Sequence, residues 1–199
     1  MLRKTASTAV PIHDLIAGRW SPRAFDADAM LTDDELTALF EAARWSPSCF
    51  NGQPWRYLVW DRHAAPDDWA RALACLGESN RRWAARAPLL MLSVASGRFA
   101  HNGSPNRFAQ YDTGAATLAL ALQAQALGLV AHQMGGFDAE RARQEFAIPE
   151  DFAPQAMIAI GRPAAPDTLE PDLRDREQAV RQRRPLSELI HTGRWGGRD

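Results

Sequence analysis

The sequence predicts a single α+β domain. Its 199 residues suit one domain of ordinary size. Helical patterns alternate with a few short apolar segments typical of strands, without strict β-α-β alternation. The hydrophobic fraction of 46% and the charged fraction of 24% are ordinary for a globular protein with a sizeable core.

The first half of the chain predicts three helices and two strands after a short opening helix. Pro11 suits the first position of that opening helix, which should run to about Gly18. Thr32 and Glu35 form a capping-box pattern ahead of a helix that should end near Trp45. The remaining elements are predicted as a strand at 56–61, helices at 67–76 and 79–86, and a buried strand at 89–95.

The second half is organised around one long predicted helix, residues 106–127, which Gly128 should terminate. Apolar residues occur almost all round this helix, as is typical of a central helix at a subunit interface. A strand at 128–133, a helix at 137–146 and a strand at 157–161 should follow it. Residues 162–199 are rich in proline and charge, which predicts an extended C-terminal arm on a single domain with its core at about 12–161.

Composition excludes several kinds of partner. Lys and Arg total 23 against 24 Asp and Glu, so the chain lacks the basic excess of proteins that bind nucleic acid or anionic membranes. The longest weakly polar stretch, residues 114–129, is too short to span a bilayer. Cys49 and Cys75 form neither a redox motif nor a zinc motif. We therefore expect a cytoplasmic protein with no nucleic-acid or membrane partner.

Several catalytic motifs are missing from the sequence. It has no Gly-x-Gly-x-x-Gly fingerprint, no Walker A loop and no Gly-x-Ser-x-Gly elbow. The five histidines are scattered, without the spacing of a metal site, so no metal ligand is predicted. Lys4 is the only lysine, so an anion site in this chain must rely on guanidinium groups.

The segment Arg19-Trp20-Ser21-Pro22-Arg23 has the composition of an anion cradle. Alternate side chains of an extended segment share a side, which would place two guanidinium groups around the Ser21 hydroxyl. Arginine binds phosphate through paired, charge-assisted hydrogen bonds. Taken alone, however, this segment is more typical of a solvated basic turn.

Three further segments allow either a functional or a structural interpretation. The loop SPSCFNGQPW, residues 46–55, offers the amides of Asn51 and Gln53, which can donate and accept as a ring edge requires, or form an ordinary turn. Gly135 and Gly136 permit close approach of a ligand to the backbone, or only a turn. The run RQRR at 181–184 is typical of an exposed charged segment.

Together these motifs resemble the FMN-dependent nitroreductase family over residues 12–195. The segments that carry the resemblance are RWSPRAF, EAARWSPSCFNGQPWRYLV, NRRWAARAPLLML, DTGAATLALALQAQALGL, GGFD, IAIGRP and RQRRPLSELIH. The resemblance implies a nitroreductase-like α+β fold with a central, mainly antiparallel sheet flanked by helices. It also implies an intertwined homodimer with a C-terminal arm and one FMN per interface, contacted by both subunits.

The resemblance assigns roles residue by residue. Arg19 should face the FMN phosphate, and Arg23 the pyrimidine end of the ring, where positive charge stabilises the reduced flavin. The 47–51 loop is implied to come from the partner subunit, and the amides of the two glycines to lie near flavin N5. The implied cofactor-binding residues are Arg19, Trp20, Ser21, Arg23, Pro47, Ser48, Cys49, Asn51, Asn80, Gly135, Gly136, Arg181 and Arg183.

Two positions depart from the family pattern. Asn80 matches an asparagine of the family pattern, and some members carry a lysine three residues after it. This chain has Trp83 there, so a cation near the ring is missing. That change could alter the reduction potential of the flavin, or leave Arg23 to supply the positive charge near the ring. Cys49 stands where a serine is common; it could be a reactive thiol, but cysteine more often behaves as a small hydrophobe.

The implied function is FMN-dependent oxidation of NADH or NADPH coupled to reduction of a small-molecule acceptor. Nitroaromatics, quinones or similar electron-poor compounds would be the acceptors, in a ping-pong mechanism. No protein acid or base is required, because the flavin performs the redox step. The alternatives are a non-catalytic FMN-binding homodimer, in which Trp20, Phe50 and Trp83 close the pocket, and another flavin chemistry on the same scaffold.

Overall fold

A computed structural model describes residues 2–197 and contains a four-stranded antiparallel sheet. The strands are β1 (Trp55–Asp61), β2 (Leu89–Ser96), β3 (Val130–Met134) and β4 (Phe152–Gly161). Their order is β1-β2-β4-β3, and each neighbouring pair is antiparallel. The predicted α+β class and the antiparallel sheet are therefore confirmed.

Seven α-helices lie within the described residues, and they cover both faces of the sheet. They are α1 (Asp14–Gly18), α2 (Asp33–Arg44), α3 (Pro66–Ala74), α4 (Glu78–Ala84), α5 (Ala109–Ala126), α6 (Ala139–Glu145) and α7 (Pro171–Gln178). None of these helices is long and apolar enough to cross a membrane.

The core consists of two layers separated by the sheet. Successive side chains of β2 point to opposite faces, so Leu90 and Leu92 pack with α3, α4, α6 and α7, whereas Leu89 and Met91 pack with α2 and α5. All four leucine and methionine side chains are fully buried. A strand buried on both faces needs a continuous apolar run, which is why the sequence predicted this element well.

The capping box of α2 is confirmed, whereas the predicted start of α1 is wrong. Thr32 Oγ1 accepts the Glu35 N–H at 3.1 Å, and the Glu35 carboxylate accepts the Thr32 N–H at 2.9 Å. Helix α1 begins at Asp14 rather than beside Pro11. His13 caps it instead, because its Nδ1 accepts the otherwise unpaired N–H of Leu15 at 3.2 Å.

Helix α5 begins three residues later than predicted. The Asn106 side chain accepts the N–H of Phe108 at 3.1 Å, and this local turn competes with helical hydrogen bonding. The predicted end is confirmed. Gly128 has a φ of 73°, and the N–H of Leu129 bonds to the Ala124 carbonyl, as in a Schellman-type helix end.

Part of the segment predicted as an extended arm is helical. Pro171 occupies the first turn of α7, and Leu169 and Leu173 are buried in the core layer that contains α3 and α4. Leu169 lies in the turn that leads into the helix and Leu173 lies within it, and burial of these two leucines outweighs the high charge of the segment. Beyond this helix, every residue from 182 to 190 is exposed.

Candidate functional site

Three arginines from the two ends of the chain form one positive cluster. Arg19 follows α1 in an extended conformation, and its guanidinium is partly buried. Burial lowers the pKa of Arg19, and the charges of Arg181 and Arg183 lower it further. None of the ion pairs among residues 2–197 involves these three side chains. Such a cluster is suited to an anion, since bound negative charge would relieve the repulsion.

Arg181 also fixes the local structure. Its Nη1 donates to the carbonyl oxygens of Lys4 at 2.5 Å and Ala17 at 2.8 Å. The N-terminal segment is held against α1 as well, because the N–H of Ala6 bonds to the same Ala17 carbonyl at 2.9 Å. The cluster is therefore built on backbone that both chain ends help to hold in place.

Trp20 lines a groove of about 510 Å³ beside this cluster. The groove lies between the N-terminal segment and the C-terminal end of α5, and Lys4, Gly18 and Gln125 contribute to its walls. Lys4 Nζ lies 4.5 Å from the Trp20 ring centroid, which is a cation–π distance. Ser21 is the next residue in the same extended segment and is partly buried.

Arg23 contacts a buried carboxylate that the sequence did not reveal. Glu177 of α7 is only 2% exposed, and its Oε1 and Oε2 accept the Arg23 N–H at 2.9 and 3.0 Å. Its Oε1 also accepts the Ala24 N–H at 3.2 Å, and its Oε2 lies 3.9 Å from Arg23 Nη1. The available signal was the spacing from Leu173, because Glu177 lies four residues further along α7 on the same face as that buried leucine.

His132 of β3 is a second contributor that sequence analysis missed. Its Nδ1 lies 2.8 Å from the Pro22 carbonyl oxygen, and its ring centroid lies 4.4 Å from that of Trp83. Burial lowers the pKa of His132 to about 4, and the charges of Arg23 and Arg19 also lower it. The ring is therefore neutral at pH 7, and both arginines lie near it.

Trp83 is part of the core. It is 1% exposed, and it stacks on Phe25 with ring centroids 6.1 Å apart as well as lying against His132. An indole of this size fills the space between α4 and β3, where a lysine would have to bury its charge. The side chain therefore supports the wall behind Pro22 rather than closing an open pocket.

Asn80 and the Gly135–Gly136 turn lie together. Asn80 Nδ2 donates to the Gly136 carbonyl at 3.1 Å, and the N–H of Gly77 donates to the same oxygen at 3.0 Å. A Cβ on residue 136 would lie 2.8 Å from Asn80 Nδ2, whereas a Cβ on Gly135 would meet no atom within 4 Å. A side chain at 136 would therefore displace the Asn80 amide. Both glycines are exposed.

The loop that contains Pro47, Ser48, Cys49 and Asn51 is strained and internally bonded. Phe50, Asn51 and Gln53 have positive φ angles of 52°, 52° and 44°, a conformation that costs about 1–2 kcal/mol per residue. Ser48 Oγ accepts the Gln53 N–H at 3.0 Å, and Gln53 Nε2 donates to Asn51 Oδ1 at 3.2 Å. Strain of this kind is concentrated at functional sites. Pro47, Phe50 and Asn51 are exposed.

This loop and the arginine cluster lie at opposite ends of α5. Asp112, near the start of α5, accepts the Cys49 N–H at 3.0 Å. Gln125, near its end, lies 3.4 Å from the Cβ position of Gly18, next to Arg19. A helix rises 1.5 Å per residue, so about 20 Å separates these two anchor points. Within one chain, the structure does not bring the loop and the arginine cluster together.

Among residues 2–197, no group of three or more His, Cys, Asp or Glu side chains is arranged to hold a metal ion. Polar groups described above that a ligand could contact are the guanidinium cluster, the Asn80 amide and the exposed backbone of the two glycines. These groups suit an anionic ligand that carries polar ring edges.

A sequence model of the Nitroreductase family matches residues 16–162 of the chain. A Streptomyces coelicolor protein, provisionally named an NADH dehydrogenase/NAD(P)H nitroreductase, is 32% identical over 156 residues, which is 68% of this chain and 77% of that protein. Protein DrgA of Synechocystis is 30% identical over 173 residues, covering 75% and 82% of the two chains.

A solved structure described as an oxidoreductase containing FMN superimposes with a TM-score of 0.89 at 36% identity. The match covers 96% of each chain. Because the family match spans most of the sequence and the solved structure shares its fold, the chain belongs to the nitroreductase family.

Proposed function

We propose that this chain binds FMN and oxidises NADH or NADPH to reduce nitroaromatic, quinone or similar electron-poor acceptors in a ping-pong reaction. One observation carries this proposal. Arg19, Arg181 and Arg183 converge, and none of them has a carboxylate partner among the described residues. The FMN of the 36% identical structure and the NAD(P)H in the names of relatives support it. Bound FMN would supply the hydride acceptor and donor chemistry.

The residues present fit FMN. The three guanidinium groups would hold the phosphate, because paired N–H donors match phosphate oxygens. Arg23 and the Asn80 amide would contact the pyrimidine edge of the ring, and the Gly135 and Gly136 backbone would lie near its reacting atom. Trp20 and Ser21 would complete the wall between phosphate and ring.

We infer that a second copy of the chain supplies Pro47, Ser48, Cys49 and Asn51 to each site. The separation of about 20 Å along α5 supports this inference, because the loop cannot reach the arginine cluster of its own chain. Large exposed apolar side chains also support it. They include Ile16, Tyr111, Leu118, Val180, Leu186, Leu189, Ile190 and Trp195. We expect these side chains to be buried in a homodimer around which residues 180–197 wrap.

The residues near the site serve to bind and orient rather than to transfer protons. His132 is neutral at pH 7 and its Nδ1 is engaged with Pro22, so it is poorly placed as a general acid. The charges of Arg19 and Arg23 would set the field at the cofactor. The two cysteines are free thiols, consistent with the cytoplasmic location that we propose.

Absorption spectra of the purified protein test this function. We expect flavin bands as isolated or after FMN addition, bleaching on NADH or NADPH addition, and recovery when a nitroaromatic or quinone is added. Initial rates should give parallel double-reciprocal plots. A protein that binds no FMN overturns the proposal, and one that binds FMN but is never reduced supports the non-catalytic alternative.

A further inference from the structure

The carboxylate of Glu177 is buried and points at backbone N–H groups. Burying a carboxylate is costly unless hydrogen bonds and opposite charge compensate for it. Glu177 is 2% exposed, yet it accepts two backbone N–H groups, those of Arg23 and Ala24, and lies 3.9 Å from Arg23 Nη1. Its main-chain carbonyl accepts Lys4 Nζ at 2.8 Å. One residue of α7 thus connects the N-terminal segment with the Arg19–Arg23 segment.

These contacts determine where Arg23 points. The N–H of Arg23 and the carbonyl of Pro22 belong to the same peptide group, and His132 holds the carbonyl from the opposite side. A peptide group bonded at both ends cannot rotate about its flanking single bonds without losing one contact. The direction in which the Arg23 side chain leaves the backbone is fixed with it.

We propose that Glu177 is a positioning residue of the cofactor site, which orients Arg23 towards the flavin and partly offsets its charge. This inference rests on the proposed function. Removing the carboxylate would free the Arg23–Ala24 backbone and leave the Arg23 guanidinium unopposed. The first effect weakens FMN binding, and the second makes the midpoint potential of bound FMN more positive, because nearby positive charge favours the electron-rich form.

Three variants separate these effects. Glu177→Ala removes both the acceptor and the charge, whereas Glu177→Gln removes the charge and keeps one acceptor oxygen. Asp175→Asn is the matched control, because Asp175 is an exposed carboxylate on the same helix. FMN affinity is measured by titrating the apoprotein, the potential by equilibration with a reference dye, and the melting temperature of the apoprotein by calorimetry.

We expect Glu177→Ala to raise the FMN dissociation constant about tenfold or more, in line with loss of charge-assisted hydrogen bonds. Glu177→Gln should recover part of that affinity, and both variants should have a more positive potential than Asp175→Asn. If the Glu177→Ala protein does not fold, the FMN affinity and potential of Glu177→Gln are compared with those of Asp175→Asn instead.

If Glu177 has only a structural role, its variants will have a lower melting temperature but the same FMN affinity and midpoint potential as Asp175→Asn. That result overturns the inference. Wild-type protein that binds no FMN overturns the proposed function together with this inference. Wild-type protein that binds FMN, with Glu177 variants indistinguishable from the control, overturns this inference alone.

Discussion

His132 and Glu177 hold opposite ends of one peptide group. The Pro22 carbonyl oxygen lies 2.8 Å from His132 Nδ1, and the Arg23 N–H lies 2.9 Å from the Glu177 carboxylate. A carbonyl oxygen can only accept, so Nδ1 carries the proton of the neutral imidazole. A strand and a C-terminal helix thus orient the peptide that precedes the Arg23 side chain, and the two bonds polarise each other.

The protein should lose stability as the pH falls from 6.5 to 4 because His132 is held neutral. Its pKa is about 4 in the fold against 6.5 when unfolded, since burial and the charges of Arg23 and Arg19 disfavour the cation. The contribution of the neutral imidazole to the free energy of unfolding is fully present above pH 6.5. It is lost as the pH falls, and the loss reaches about 3 kcal/mol by pH 4. Urea unfolding at several pH values measures it.

His132→Asn is the control for that pH dependence. Its amide nitrogen can donate to Pro22 from nearly the Nδ1 position, but it does not titrate. The variant should show a shallower loss of stability between pH 6.5 and 4 than the wild type. Equal slopes for the two proteins would show that other groups cause the acid sensitivity.

Arg19→Ala should weaken FMN binding about 10- to 100-fold, because it removes a partly buried member of the guanidinium cluster. Arg183→Ala should have a smaller effect, since Arg183 is exposed to solvent that screens its charge. Arg176→Ala, an exposed arginine of α7, controls for loss of net charge. Equal affinities of the Arg19→Ala and Arg176→Ala proteins would contradict the phosphate assignment.

Sequence patterns revealed the parts of the fold and site that depend on local order. The apolar run of β2 and the capping box of Thr32 were readable because neighbouring residues create those signals. Glu177 was not readable, since a carboxylate in a charged segment gives no sign that its partners lie 153 and 154 positions away. His132 was hidden for the same reason, as its partner Pro22 is 110 positions away.

The proposed homodimer predicts the effect of a single charge on α5. Leu118 is exposed, and in the proposed dimer it packs against the second copy. Leu118→Glu would place an unpaired carboxylate there, so we expect the dimer dissociation constant to rise more than about a hundredfold. FMN content should fall as the dimer dissociates, because in the proposed dimer each site includes the partner's 47–51 loop. Analytical ultracentrifugation and the flavin-to-protein absorbance ratio measure the two effects.

Ala70→Glu is the matched variant for that experiment. It adds the same charge at an exposed position of α3, which packs on the opposite face of the sheet. It should remain dimeric and retain FMN. A monomeric Leu118→Glu protein that kept full FMN content would show that one chain completes the site alone.

Gly136→Ala tests whether Asn80 acts through its contact with the glycine turn. The new Cβ would lie 2.8 Å from Asn80 Nδ2, so the amide must move and lose its bond to the Gly136 carbonyl. We expect about 1 kcal/mol of destabilisation and weaker FMN binding. Gly135→Ala places its Cβ in open space, so its melting temperature should stay at the wild-type value.

A double-mutant cycle with Asn80→Ala identifies the cause. If displacement of the Asn80 amide is the whole effect, Gly136→Ala should change FMN affinity little once Asn80 is alanine, because a 2.8 Å approach to that amide no longer exists. Full additivity of the two substitutions would instead mean that the backbone at residue 136 contributes independently. In that case the contact with the Gly136 turn would not be what orients the Asn80 amide towards the flavin ring.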